Sequence, residues 1–296
     1  MRGVRGASTL PLVGACVSAV LWAFGGIFAA LTDCSGLVIS FWRLWIGVVL
    51  YASLFALGRR RVRGELVRAC AWGGIFLAGD MCFFFSAVRL TSVAIVTIVG
   101  SLQPVVVFVA ARRLFGERRG PSDMAWMAAA LGGVALTVVG ASGSGPDRFA
   151  GDLLAFLAML SWAGYWIASK RARERVGSLE YSTGVTVVAA LVTTPVTLLS
   201  TGGVGSLTPR DWLLIASIAL VPGAGHLVMN WVHRYLAASI SSIIGNMSAL
   251  VAALVAVPIL HQSLSVPQVL GMALALTSVV VIVARHRSDP APEGAP

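Results

Sequence analysis

Apolar residues run along this chain in long blocks rather than in alternation. A helix needs roughly 20 mostly apolar residues to cross the hydrocarbon core of a bilayer. Ten blocks approach that length, at about 10–31, 37–57, 69–88, 92–114, 124–142, 151–169, 182–201, 212–231, 238–260 and 266–284. None alternates with period two along its length, which argues against a transmembrane barrel. Tight loops join the blocks and leave no room for a separate soluble domain. The pattern predicts an all-α membrane protein of ten transmembrane helices, with a disordered cytoplasmic tail over the Pro-, Ala- and charge-rich residues 286–296.

Composition sharpens this picture. Of 296 residues, 57% are hydrophobic and only 11% charged, with a mean hydropathy of +0.87. Soluble domains carry about 25% charge, which they need to cover their surface. A net charge of +10 suits nucleic acid only when it forms a stripe on a soluble fold. Here the charges sit in short clusters between apolar blocks, so nucleic acid is excluded as a partner. Arg2 and Arg5 precede a first apolar run that reaches about Leu31, too long for a signal peptide, and it reads as a retained helix. Cys16, Cys34, Cys70 and Cys82 show no CxxC or Cys/His spacing, so neither a disulfide framework nor a metal site is expected, and no cofactor.

Lys and Arg in the loops set orientation. Alternating sides from the N-terminus, eighteen fall on one side, including Arg59 to Arg61, Arg112, Arg113, Lys170, Arg171, Arg173, Arg175 and Arg234. The other side receives only Arg89, Arg148 and Arg210, and Arg43 is left inside a span. This predicts both termini in the cytoplasm, in a bacterial cytoplasmic membrane, and an even number of spans.

The two halves resemble each other. Arg89–Gly100 lies over Arg234–Gly245 at a constant offset of 145, with Arg89/Arg234, Ile95/Ile240, Ile98/Ile243 and Gly100/Gly245 coinciding. Leu21-Trp22-Ala23 lies over Ser161-Trp162-Ala163 at offset 140. Two five-helix repeats over 1–142 and 151–285, joined by a periplasmic linker at 143–150, then predict an inverted arrangement, because an odd number of helices makes the second repeat enter from the opposite side.

Several motifs resemble the drug/metabolite transporter superfamily in its ten-helix EamA-type branch. They are Leu21-Trp22-Ala23, Phe41-Trp42-Arg43, Ala87 to Ser92, Leu102-Gln103-Pro104 followed by Phe115-Gly116-Glu117, and Met229 to Tyr235. In the second half Ala249 and Gln262 stand where the second proline and glutamate of the pattern belong, so the Pro/Glu pair receives no function. The resemblance implies export or exchange of small metabolites, amino acids or drugs.

Ionisable residues at membrane depth are functional candidates. Asp80 falls ~12 Å and Arg43 ~9 Å from the outer ends of their spans at 1.5 Å per residue, depths compatible with an ion pair. His226 is mid-span in the eighth block, opposite Met81 at offset 145, with Pro222, Gly223 and Gly225 predicted to loosen or break that helix. Asp80 and His226 are the candidates for proton coupling. Trp22 and Trp162, with Phe83, Phe84, Phe85, Tyr165 and Trp166, suggest an aromatic-walled cavity for apolar or cationic ligands, against the competing reading of helix packing. The candidate substrate-binding set is Trp22, Arg43, Asp80, Phe84, Trp162, Tyr165, His226 and Asn230. Trp72, Trp126, Trp212 and Trp231 read as an interfacial belt.

No P-loop occurs, so transport would run on gradients. No GxSxG or HExxH supports a membrane enzyme, and no filter loop or charge ring supports a channel. The expected function is a secondary transporter exporting or exchanging a small organic metabolite, an amino acid-like solute or drug, with a proton as the candidate coupling ion. A channel-like or accessory subunit is the alternative, and a membrane-embedded enzyme comes last. The partners are a small-molecule substrate and membrane lipids, with a homo-oligomer left open.

Overall fold

Eleven helices can be given bounds in a computed structural model that describes residues 9–58, 64–91, 96, 99–116, 120–140, 149–260 and 265–286, where residues 96, 99 and 100 are helical as well. They are α1 (Leu10–Ala30), α2 (Gly36–Leu57), α3 (Gly64–Leu90), α4 (Gln103–Leu114), α5 (Pro121–Gly140), α6 (Phe149–Ala172), α7 (Ser178–Thr201), α8 (Pro209–Val232), α9 (Ala238–Gly245), α10 (Ser248–Leu260) and α11 (Val266–His286). No strand occurs among the described residues. The linker up to residue 148, Glu117, Gln262 and the tail beyond His286 lie outside them.

Local chemistry sets several ends. Ser35 caps α2 by accepting from the Val38 amide, which satisfies one orphan donor of the first turn. Thr208 and Asp211 form a reciprocal capping box ahead of α8, with Pro209 at its first position. Gly202 ends α7 at φ +68°, a left-handed cap that glycine adopts without strain. Among the described residues six helices are long and apolar enough to cross a membrane: α1, α2, α3 from Leu66, α6, α7 and α8.

Packing between helices follows the repeat. α3 lies along α6 and α8 lies along α1; α3 meets α7 and α8 meets α2; α2 pairs with α7 and α5 with α11. Exchanging α1 with α6, α2 with α7, α3 with α8 and α5 with α11 maps this set of contacts onto itself. Gly133 in α5 sits where a Cβ would fall 2.6 Å from the Gly271 carbonyl, so small residues let α5 and α11 approach closely. Its neighbour Gly132 faces open space.

Two expectations about helix continuity reverse. α8 is not broken by Pro222, Gly223 and Gly225, but runs unbroken from Pro209 to Val232. The breaks lie in the fourth and ninth blocks. Residues 101–102 form a turn ahead of α4, and residues 246–247 form one between α9 and α10. The hydrogen bonds match position by position: Leu102 N–H donates to Val99 O and Val105 N–H to Leu102 O, while Met247 N–H donates to Ile244 O and Leu250 N–H to Met247 O. Proline alone does not make these breaks, since the residue after the second turn that corresponds to Pro104 is Ala249.

Candidate functional site

The site forms where α1, α2, α3, α6 and α8 converge. Arg43 of α2 is buried, with 7% of its surface exposed. One of its Nη atoms lies 3.0 Å from His226 Nε2 and the other contacts Met81 Sδ. Positions 81 and 226 are equivalents at offset 145, so a single guanidinium touches the same place in both repeats. The expected ion pair with Asp80 is absent. Asp80 is buried beside Met81 and within electrostatic reach of Arg43, but Arg43 spends its donors on His226 and Met81. Nor does Arg43 snorkel, because its hydrogen bond turns it inward.

Around His226 the aromatic residues close in. Trp22 lies 5.2 Å from the His226 ring, Trp162 5.5 Å and Tyr165 5.9 Å, centroid to centroid. Trp22 meets Trp162 edge-on at 5.2 Å and Trp166 at 5.7 Å, and Trp162 stacks on Tyr165. Edge-to-face and offset arrangements are those favoured by ring quadrupoles. Gly225 admits Trp22 onto α8: a Cβ there would fall 3.0 Å from the indole Nε1. Gly245, at the end of α9, plays the same part, since a Cβ there would fall 2.8 Å from Trp166. The glycines expected to break α8 therefore include one that seats the aromatic cluster. Phe84 does not join it. It packs on Phe85 and on the cluster of Ala87, Val96 and Ala155.

Asn230 opens a second polar layer, one turn along α8. It accepts from Tyr165 Oη at 3.0 Å and Ser169 Oγ at 2.7 Å, and donates to Ser182 Oγ at 2.9 Å. Ser169 Oγ also lies 2.7 Å from His233 Nδ1. The single Ser169 hydroxyl proton goes to Asn230, so His233 donates from Nδ1. Lys170 donates to the carbonyls of His233 and Leu236, and Arg173 to that of Asn230. Burial, then the charges of Lys170 and Arg173, hold His233 well below the usual imidazole range. Burial, then Arg234, pushes Arg173 down to about 10.

Sequence reasoning counted Lys170 and Arg173 as loop charges, whereas both are buried. It also overlooked Ser169, Ser182 and His233. Their signal was present: Trp166, Ser169 or Lys170, and Arg173 recur at helical spacing, as do His226, Asn230 and His233. Among the belt candidates, Trp72 and Trp212 are exposed, but Trp126 and Trp231 are half-buried against the core.

The rings touch, while Trp22 and Trp162 themselves are half-buried. Two clefts on the described surface lie elsewhere, along α1 from Thr9 to Leu21 and between Ser178 and Trp231. No group of three or more metal-ligating side chains occurs among the described residues.

Repeated apolar helices around a buried polar centre define a multi-pass α-helical membrane protein. The chain belongs to the EamA-like transporter family, whose model matches residues 9–139 and again 149–284. That family is one of transporters rather than enzymes. A solved structure titled "Crystal structure of protein" is 21% identical, with a TM-score of 0.78 over 95% of this chain and 98% of that one. It shows a shared fold. A comparison with curated proteins finds no match.

Proposed function

We propose that this protein is a proton-coupled secondary transporter that exports or exchanges a small organic metabolite, an amino acid-like solute or drug, across the bacterial cytoplasmic membrane. In this reading ten spans cross the bilayer as two inverted repeats, with both termini in the cytoplasm. The observation that carries it is the Arg43–His226 hydrogen bond, which joins the two repeats at the level of Asp80. A guanidinium only donates, so His226 accepts at Nε2. A proton can reach that nitrogen only if Arg43 leaves it, and the freed Arg43 then has Asp80 as its counter-charge. Protonation and the seam between repeats are thereby one event, which is what coupling a proton to alternating access requires.

Proteoliposomes under an imposed proton gradient test this. Asp80→Asn and His226→Asn lose gradient-driven accumulation but retain counterflow. Trp22→Ala and Trp162→Ala lower both tenfold or more, and Trp126→Ala changes them little. Full accumulation with an unchanged pH profile in both Asp80→Asn and His226→Asn rejects the coupling role. Equal loss of folded protein in all three tryptophan variants makes the rings packing residues only.

A further inference from the structure

Three buried nitrogens at the centre lack a hydrogen-bond partner: Trp22 Nε1, Arg43 Nε and His226 Nδ1. Arg43 and His226 are themselves more than nine-tenths buried. All three are donors. Indole Nε1 and guanidinium Nε carry hydrogen in every state, and His226, which accepts at Nε2, must carry its proton on Nδ1. A buried donor without an acceptor costs about 1–3 kcal/mol, and three of one polarity in a single cluster form a pattern. They are also neighbours: Trp22 Nε1 lies over Gly225, next to His226, and His226 is 3.0 Å from Arg43. Of the acceptors at hand, the Asp80 carboxylate is within electrostatic reach of Arg43 but makes no hydrogen bond to it, and two tyrosine hydroxyls are turned to other partners. Tyr51 donates its hydroxyl proton to Gly223 O and Tyr165 donates to Asn230.

We infer that the substrate of this site carries a carboxylate, which accepts from Arg43, Trp22 and His226 while its apolar part lies against Trp162 and Trp22. A carboxylate offers about four lone-pair directions and is the partner for which the planar guanidinium is shaped. A solute without an acceptor would leave the same donors unmet, and a neutral acceptor would leave the Arg43 charge unmet, so an aromatic wall alone misstates the ligand. Asp80 then competes with the substrate for the one guanidinium. This inference rests on the transporter reading for its physiological meaning, but it can be tested by binding alone.

The test uses the full chain purified in detergent, with tryptophan fluorescence and thermal shift at pH 7. The probes are benzoate, 3-phenylpropionate and L-phenylalanine, each beside its primary amide. At least one acid binds ten times more tightly than its amide. Arg43→Gln removes that preference. Trp22→Phe, which keeps a ring and loses the N–H, weakens the acid three- to tenfold and leaves the amide unchanged. Asp80→Asn strengthens the acid severalfold. Should Arg43→Gln fail to fold, the Trp22→Phe and Asp80→Asn arms still decide. If no acid is preferred over its amide, the inference is wrong. Counterflow with the same probes, a sugar and a cationic dye separates it from the transporter reading. Exchange of the dye or sugar without acid preference leaves a transporter and removes the carboxylate site. Acid preference with no exchange of any solute leaves the site and removes the transporter.

Discussion

Where α6 and α8 reach their C-terminal ends, Ser169, Lys170, Arg173, Asn230 and His233 are buried together and joined by hydrogen bonds. At the equivalent end, where α1 and α3 terminate, the corresponding positions hold Ala29, Ala30, Asp33, Phe85 and Val88. There the bridge is an exposed Arg89, which donates to the Thr32 carbonyl at 2.8 Å. Both ends inherit one backbone plan from the repeat, but they differ in what separating the helices would cost. Parting α6 from α8 strands buried hydroxyls, an amide and two cations. Parting α1 from α3 frees two carbonyls and one hydroxyl of the buried Ala29 and Thr32, and a single cation that already meets water. An unmet buried polar group costs about 1–3 kcal/mol, while a met one contributes about 1 net. The Lys170 end is therefore the stiffer latch, and the Arg89 end opens more readily.

That contrast has meaning only if the two ends face opposite sides of the membrane, so the first prediction is all-or-none. A cytoplasm-active reporter fused after Arg175 and a periplasm-active reporter fused after Ser144 are both active, and the opposite reporters at those sites are silent. Activity of the opposite pair would overturn the eighteen-to-three division of Lys and Arg and exchange the two faces.

The next effect is energetic. Asn230→Ala leaves Tyr165, Ser169 and Ser182 short of a partner in a buried layer, and should cost about 2–3 kcal/mol. Arg89→Ala removes contacts at an exposed rim and should cost about 1 kcal/mol or less. The check is unfolding in detergent with both variants side by side. Equal losses would mean that the two ends are latched alike.

Much of this plan was legible in the sequence, and the misses have physical causes. Block lengths, loop charge and the offset of 145 gave the helices and the repeat, because the bilayer fixes span length and the repeat keeps register. Trp22, Trp162, Arg43 and His226 were legible as residues out of place at membrane depth. Arg43's partner was not, since depth along a helix leaves the direction a side chain faces undetermined; Asp80 and His226 were both within its level. Pro222 and Gly223 suggested a break that did not form, because a proline's lost hydrogen bond is tolerated when neighbouring helices and side chains satisfy the freed groups. Here α8 stays helical through Pro222, and α2 braces it there, with Tyr51 donating to the Gly223 carbonyl at 2.6 Å. Lys170 and Arg173 read as loop charges because they end a span, and only the three-dimensional structure shows that their heads turn back over the α8 terminus.

A smaller effect separates the ends by pH. His233 lies beyond the last residue of α8 and is held well below the usual imidazole range, so the unfolded chain binds a proton there more readily than the folded one. Its contribution to stability is complete above about pH 6.5 and is lost as pH falls below it, by at most about 1.4 kcal/mol per pH unit. Melting curves from pH 7.5 to 5 should fall more steeply for the parent chain than for His233→Asn. Parallel curves would show that His233 is protonated in the fold and that the latch is not built as described.

The smallest effect belongs to Cys34, which lies between α1 and α2 at the Arg89 end and is half-buried and free. Burial, then the negative charge of Asp211, pushes its thiol up to about 11, against a lowering by Arg89. At pH 8 this leaves roughly two hundredfold less thiolate than an ordinary cysteine with a pKa near 8.5. A more basic thiolate is also a better nucleophile, with a Brønsted slope of about 0.4–0.5, which returns about a tenfold factor. Alkylation by a water-soluble maleimide, resolved by peptide mass spectrometry, should therefore run about twentyfold slower than that of free cysteine at pH 8 and rise about tenfold per pH unit towards pH 10. Asp211→Asn should quicken it and Arg89→Ala should slow it, because the two charges act on the thiol in opposite senses. If Cys34 instead stays unreactive up to pH 10, access rather than ionisation limits it. The Arg89 end would then be as closed to water as the Lys170 end, and the difference between the two latches would have to be sought elsewhere.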